Sequence, residues 1–357
     1  SIQTLHKEKY LDNYFDSKDF DYIIIDEFHH AAADSYLNVL EYFEPEFMLG
    51  LTATPYRMDN RDIFELCSNN LLFDLDLRQA INRDLLVPFK YYGIFDPEVD
   101  YENIDYSSGK YNQKELEKAL STHKRAGLIL ENYRNLSGRR TLGFCSTIKH
   151  ADYMAGYFSE HGINAASVHS SKKESDIHLD RKIAVEKLKN GDLDIIFAVD
   201  IFNEGVDIPS LDTVLFLRPT ESYVVFLQQL GRGLRKHDDK EKLKVLDFIG
   251  NYKRAHYLPL LLSGENPMEY SSRKYRKADD FEYPADCEVN FDFRVVNLFD
   301  ELKKSDPLEQ RMKDEYFRLK DVLNRRPMRL DLYTGTDIDI KHYLNSSPEY
   351  YKNKAHS

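Results

Sequence analysis

Tryptophan is absent from this chain, cysteine occurs only three times, and long apolar runs are missing altogether. Each shortage excludes something. A membrane helix needs roughly 18 consecutive apolar residues, and the sequence offers none, nor does a signal-like segment open it. Cys67, Cys145 and Cys287 are far apart and form no C-x-x-C pair, which argues against a disulfide framework or a zinc site. A reducing cytoplasm is the expected setting. Basic residues are in the minority, 49 against 61 acidic ones, for a net charge of −12. The surface as a whole is therefore not suited to wrapping a polyanion, although a local basic track remains compatible with that balance. Internal repeats and low-complexity tracts are also lacking.

What is present is a chain of 357 residues, 42% hydrophobic and 31% charged, long enough for two or three domains with cores of their own. Its organising stretch is Tyr22-Ile23-Ile24-Ile25-Asp26-Glu27-Phe28-His29-His30. The β-branched run predicts a strand buried on both faces. Two adjacent carboxylates follow where that strand ends, and in open α/β sheets ligands sit outside the carboxyl ends of strands. On its own, Asp26-Glu27 reads as a solvated loop start, the usual case for such a pair after a strand. A second apolar strand, Met48-Leu49-Gly50-Leu51, closes on Thr52-Ala53-Thr54-Pro55.

Helical pattern is expected over Lys7–Phe15 and Ala31–Tyr42, and a mixed, mostly helical stretch over Arg61–Leu86. The segment 91–113, rich in Asp, Tyr, Ser and Gly, reads as a crossing between domains. A second α/β unit spans 114–262. Lys114–Arg134 is expected as one amphipathic helix, and strands are expected near Arg140–Ser146, Ala165–His169, Leu193–Val199, Leu211–Leu217 and Leu243–Phe248, with helices between them. That alternation predicts a parallel sheet. From 263 to 357 the character changes to a strand-like piece at Glu282–Phe293 and a strongly helical Asn297–Leu323, read as an appended, mostly helical domain.

Asp-Glu-x-His after one strand and Thr-Ala-Thr-Pro after the next resemble motifs II and III of superfamily-two DEAD/DEAH-box helicases. The second unit extends the resemblance. Phe144-Cys145-Ser146 looks like motif IV, Asp200-Ile201-Phe202-Asn203-Glu204-Gly205-Val206-Asp207-Ile208-Pro209 like motif V, and Gln228-Gln229-Leu230-Gly231-Arg232-Gly233-Leu234-Arg235 like motif VI. The Phe-His-His-Ala run and Leu-Thr-Ala-Thr-Pro are similar to the helicase subunits of restriction systems, type III among them, and to DNA-repair helicases. The resemblance implies tandem RecA-like domains: 1–90 as the C-terminal part of the first, 114–262 as the whole second. It also implies ATP and Mg²⁺ as cofactors and a nucleic acid, DNA rather than RNA, as partner. Nuclease or other domains are expected on further parts of the parent protein.

The roles follow from phosphoryl-transfer chemistry, which is mostly positioning and charge stabilisation. Asp26 is suited to hold Mg²⁺ through water, and Glu27 to act as general base. The resemblance gives His29 and Gln228 a coupling role and leaves His30 without one. Thr52 and Thr54 look like the hydroxyls that in this family link the ATP side to the nucleic-acid side, with helix capping as the plain alternative. Arg232 and Arg235, three apart, are expected on one helical face, addressing the nucleotide as arginine fingers. Gly231 and Gly233 permit close backbone approach. Gly205 and Asp207 are implied near the nucleotide, with Asn203 and Glu204 coupling the sites. Ser146, Thr147, His169, Ser170 and Ser171 are candidates for backbone-phosphate contacts, against ordinary turn chemistry.

One motif is missing. Motif II should be preceded by a phosphate-cradling G-x-x-x-x-G-K-[ST], and Ser108-Gly109-Lys110-Tyr111 is a poor substitute. The first domain is therefore expected to be incomplete here, and this segment alone to be inactive as an ATPase. A non-catalytic binding module and a nuclease are the rival readings. The paired carboxylates and paired arginines disfavour the former, and the lack of a second metal-carboxylate cluster disfavours the latter.

Overall fold

The computed structural model describes residues 2–5, 10–28, 31, 33–52, 66–67, 70–107, 110–170, 177–199, 208–220, 223–253, 255–265, 276–305, 312, 316, 319 and 326–335. The chain divides into two compact units, Ser1–Asp74 with Glu315–Ser357, and Leu75–Asp314. The boundary near residue 74 falls earlier than the crossing segment expected at 91–113.

In the first unit Tyr22–Ile25 (β1) and Phe47–Gly50 (β2) pair in parallel, Ile25 lying opposite Gly50. A parallel pair needs a crossover, and the helix Asp34–Tyr42 lies in it. Ile25 and Met48 pack with Tyr36 and Leu40 of that helix against buried Phe28 and Ala31. The other strand face is open: Tyr22 is 69% and Ile24 65% exposed. The expected burial of β1 on both faces is not found, because among the described residues the helical cover lies on one side.

The second unit is built on a seven-stranded sheet. Its strands are Phe89–Phe95 (β3), Thr141–Phe144 (β6), Ala165–Val168 (β7), Ile195–Ala198 (β8), Thr213–Phe216 (β9), Leu243–Ile249 (β10) and Glu288–Phe291 (β11), numbered after the two-residue strands Tyr106–Ser107 (β4) and Lys110–Tyr111 (β5), which form a separate hairpin. The spatial order is β11-β3-β10-β9-β6-β8-β7, and every pairing is parallel. β6, β8 and β9 are buried at every position, as expected for parallel strands covered on both faces. The core on one side joins Ala126, Ile129 and Tyr133 to Met154, Phe158 and Phe197.

Three elements depart from expectation. Phe89–Phe95 is a sheet strand whose alternate residues Phe89 and Tyr91 are fully buried, although Tyr91 onward reads as part of the crossing at 91–113. Glu288–Phe291 joins the same sheet beside β3, so the second unit extends well past residue 263. The single helix expected over Lys114–Arg134 is two, Gln113–Leu120 and His123–Leu136. Ser121 closes the first, and the Thr122 hydroxyl accepts from the Arg125 amide at 3.4 Å to open the second.

That break turns Arg125 into the interior. Its guanidinium is fully buried and donates to Asp96 Oδ2 at 2.6 Å and to the Leu217 carbonyl at 3.1 Å. Asp96 follows β3 and Leu217 follows β9, so one side chain ties two strand ends together at the carboxyl edge of the sheet. Among the described residues no helix is long and apolar enough to cross a membrane.

Candidate functional site

At the carboxyl edge of the first unit, Asp26 and Glu27 follow β1 directly and Thr52 comes two residues after β2. The register Ile25–Gly50 brings these two chain segments side by side. The Leu51 amide donates to the Ile25 carbonyl and the Phe28 amide to the Leu51 carbonyl, each at 2.8 Å. Between those two bonds the backbone makes a sharp turn. Glu27 takes φ 52°, the left-handed region, which costs a non-glycine residue roughly 1–2 kcal/mol. Its amide donates to Asp26 Oδ1 at 2.9 Å. Asp26 is exposed, and its second carboxylate oxygen takes no hydrogen bond among the described residues. An exposed carboxylate with a spare oxygen fits water-mediated Mg²⁺ binding, which asks for only one or two protein carboxylates.

Phe28 is the floor of this turn. A Cβ on Gly50 would lie 2.4 Å from Phe28 Cγ, so only glycine lets the ring lie against β2. His29, His30 and Thr54 lie outside the described residues.

In the second unit the candidates fall on two edges of the sheet. At the carboxyl edge, β6 leads into buried Cys145, then Ser146 and Thr147. The Ser146 amide donates to His150 Nδ1 at 3.3 Å, and its hydroxyl lies 3.2 Å from the same nitrogen. Nδ1 therefore accepts, and the ring proton belongs on Nε2. Burial holds the His150 pKa well below its ordinary value, with Arg125 adding to the effect. His150 is a neutral ring bracing the turn. Thr147 Oγ1 caps the helix Ile148–Glu160 by accepting from the His150 amide at 3.2 Å and donates to Glu117 Oε2 at 2.6 Å. The Thr147 hydroxyl is thus engaged within the protein.

His169 and Ser170 follow β7. His169 Nε2 lies 3.0 Å from Asp152 Oδ1, which also accepts from the Ser167 hydroxyl. The His169 ring stacks on His178 at 3.9 Å. Ser170 is exposed; Ser171 lies outside the described residues.

The helix Tyr223–Gly233 carries Gln228, Gly231 and Arg232. Its end lies at the amino edge of the sheet, where the Leu234 carbonyl accepts from the Val87 amide at 2.9 Å, just before β3. The helix stops at Gly233, so half-buried Arg235 stands in a bend beyond it. The two arginines do not share a helical face as expected. Their approach depends on the turn after Gly233, tightened by the Leu234 amide donating to the Gly231 carbonyl at 3.2 Å. A Cβ on Gly233 would lie 2.5 Å from Leu243 Cδ1, which fits the expected close approach there. Gly231 has open space around it and makes none.

Asn203, Glu204, Gly205 and Asp207 lie outside the described residues, but the chain just past them is visible. Pro209 and Leu211 are gripped by Lys240, whose Nζ donates to the Pro209, Leu211 and Gly233 carbonyls at 2.7, 2.9 and 2.9 Å. Sequence reading passed over Lys240, Arg125, Asp96, His150 and Asp152. A lone charged residue in a polar stretch carries no mark of a tertiary partner.

Residues 1–57 match the family model described as type III restriction enzyme, res subunit, and residues 124–237 the helicase conserved C-terminal domain. Among the relatives, IRC3 of Saccharomyces cerevisiae, named as an ATP-dependent helicase, is 28% identical over 70% of this chain and 36% of its own length. The EcoAI endonuclease subunit of a type I restriction enzyme from Escherichia coli is 24% identical over 64% of this chain and 31% of its own. A solved fragment named as an HsdR subunit of a type I restriction enzyme from Vibrio vulnificus YJ016 superposes with a TM-score of 0.51. It shares 26% identity over 67% of this chain and 45% of that one. The chain spans less than half the length of each.

Proposed function

We propose that this chain, which matches the type III restriction enzyme res-subunit and helicase C-terminal models and has restriction-enzyme subunits among its relatives, is the motor segment of a superfamily-two ATP-dependent DNA helicase or translocase, with ATP hydrolysed in the cleft that the resemblance implies between two RecA-like domains. The observation that carries this is the strained Glu27 beside Asp26 and Thr52, since a carboxylate in a left-handed turn at a strand end is the kind of outlier that persists at functional sites. DNA is preferred over RNA because restriction enzymes are among the relatives.

In this reading Asp26 holds the metal's water shell and Glu27 takes the proton of the attacking water. Bound Mg·ATP supplies the phosphoryl group and the cation that offsets its charge. Arg232 and Arg235 face the developing negative charge from the second unit, with Gly205 and Asp207 near the nucleotide. His29 and Gln228 sense closure, and Thr52, Thr54, Asn203 and Glu204 relay it. Ser146, His169 and Ser170 hold the strand through its phosphates without reading sequence, and Thr147, expected among them, shapes the turn through its bond to Glu117 instead. The phosphate cradle is not among these residues, so the segment alone is expected to bind ATP weakly and turn it over negligibly.

The test is turnover by the full-length parent protein with and without single-stranded and duplex DNA, for Arg232→Ala, Arg235→Ala and Arg235→Lys. Loss of an arginine finger costs about 10³ to 10⁵ in rate. The lysine variant should stay impaired because it lacks the planar fork. A non-hydrolysable ATP analogue should tighten DNA binding in the wild type, by linkage, and less so in the variants. Normal DNA-stimulated turnover in both alanine variants would overturn the proposal.

A further inference from the structure

We infer that Lys240 is a positioning residue for the arginine-bearing turn, locking it to the exit of the 203–209 segment. The inference rests on the reading above that Arg232 and Arg235 act on the nucleotide. An ammonium has three N–H donors and no acceptor, and here all three are taken by main-chain carbonyls from two separate segments. Pro209 and Leu211 lie directly beyond the Glu204-Gly205-Val206-Asp207 string and lead into β9, while Gly233 ends the helix that carries Arg232.

The location explains why a cation is needed. The last carbonyls of a helix have no intrahelical partner and carry the negative end of its dipole. Gly233 O is one of these. The side chain is almost fully enclosed, Lys240 being 7% exposed. Asp212 is the neighbouring carboxylate, but it accepts from the Arg139 and Arg140 amides and the Thr213 hydroxyl, so carbonyls, not an ion pair, hold the ammonium. The Lys240 amide in turn donates to the His237 carbonyl at 2.9 Å, fixing the loop that delivers the side chain.

A clamp of this kind helps set where Arg235 stands, because the bend after Gly233 is short and is also held by the Leu234–Val87 bond and the Lys236–Asp84 ion pair. Misplacing a catalytic group by about 1 Å can cost on the order of 10²-fold in rate. The role is geometric and does not require Lys240 to approach the nucleotide.

The experiment compares Lys240→Met, Lys240→Gln, Arg235→Ala and the double variant Arg235→Ala with Lys240→Met. It uses the full-length parent protein with Mg·ATP and duplex DNA, reading kcat, KM for ATP and thermal midpoint. Lys240→Met should lower kcat by about 10²-fold with KM within about threefold, and Lys240→Gln, keeping two donors, should fall between it and wild type. In the Arg235→Ala background Lys240→Met should cause no further loss, since both act on one group. If Arg235→Ala is impaired but Lys240→Met keeps its kcat, the positioning role is overturned and the proposed function stands. If Arg235→Ala itself is normal, the underlying reading falls. Additive losses, or failure of both Lys240 variants to fold, would assign Lys240 to folding and overturn the inference.

Discussion

Glu27 holds its left-handed backbone, in the turn that follows β1, at a cost of roughly 1–2 kcal/mol. Glycine adopts that conformation freely. In the full-length parent protein Glu27→Gly is therefore expected to leave stability as in wild type, or higher by up to about 1 kcal/mol, while turnover falls about 10² to 10⁴-fold. Glu27→Gln should match it in turnover but not in stability. Urea unfolding alongside ATPase assays checks both; a destabilised glycine variant would mean the turn depends on the side chain.

Asp247 poses a different problem at the same scale. It is fully buried in β10, accepts from the Tyr91 hydroxyl at 2.6 Å, and burial pushes its pKa up from 3.8 to about 7. The Tyr91 bond and Arg125 pull the other way without cancelling the effect. The folded protein thus holds this proton more tightly than the unfolded chain does. Stability should fall as pH rises from about 4 to 7, by up to ~4 kcal/mol from this group, and the penalty is fully present above pH 7. Asp247→Asn cannot titrate, so its stability relative to wild type should increase from pH 5 to pH 8. Parallel unfolding midpoints at the two pH values would show that the carboxyl is not protonated in the fold.

Among the elements, the β1–β2 pair is tuned through Gly50. Gly50→Ala places a methyl into the Phe28 ring, an overpacking expected to cost about 1–3 kcal/mol. It should also disturb Glu27, which precedes Phe28, so in the full-length parent protein unfolding free energy and turnover should drop together; a change in only one would separate the floor from the turn. The elements differ in how plainly they could be read from residues. β6, β8 and β9 are continuous apolar runs and were legible, as was Asp26-Glu27 at a strand end. β3 was missed because four of its seven residues are tyrosine, lysine or glycine, and its burial alternates instead of running on. The end of the arginine helix was misplaced because what stops it is tertiary, Lys240 on the Gly233 carbonyl and Leu243 against Gly233. Thr122 capping a second helix within an apparent single one is a local signal that periodicity overrode.

For the molecule as a whole, the second unit sets its candidate groups on opposite edges of the sheet. Candidate strand-gripping groups stand at the carboxyl edge of the sheet, at Ser146, His169 and Ser170, while the end of the arginine helix stands at the amino edge. The position of β3 between β10 and β11 has a consequence for how the protein is made. Phe89–Phe95 emerges from the ribosome long before Leu243–Ile249 and Glu288–Phe291, which flank it in the finished sheet, exist. Until then Phe-Lys-Tyr-Tyr-Gly-Ile-Phe is a strand with two open edges, the kind of segment that templates other chains. Pairings so distant in sequence also form slowly. A chain terminated after Pro284 would leave one edge of β3 permanently bare, and light scattering during expression or refolding should show it aggregating where the complete chain does not. Equal solubility of the two would mean that β3 is shielded by something other than β11. The last strand to be synthesised in this sheet then exchanges the long aromatic edge of β3 for its own four-residue one, which opens on a glutamate.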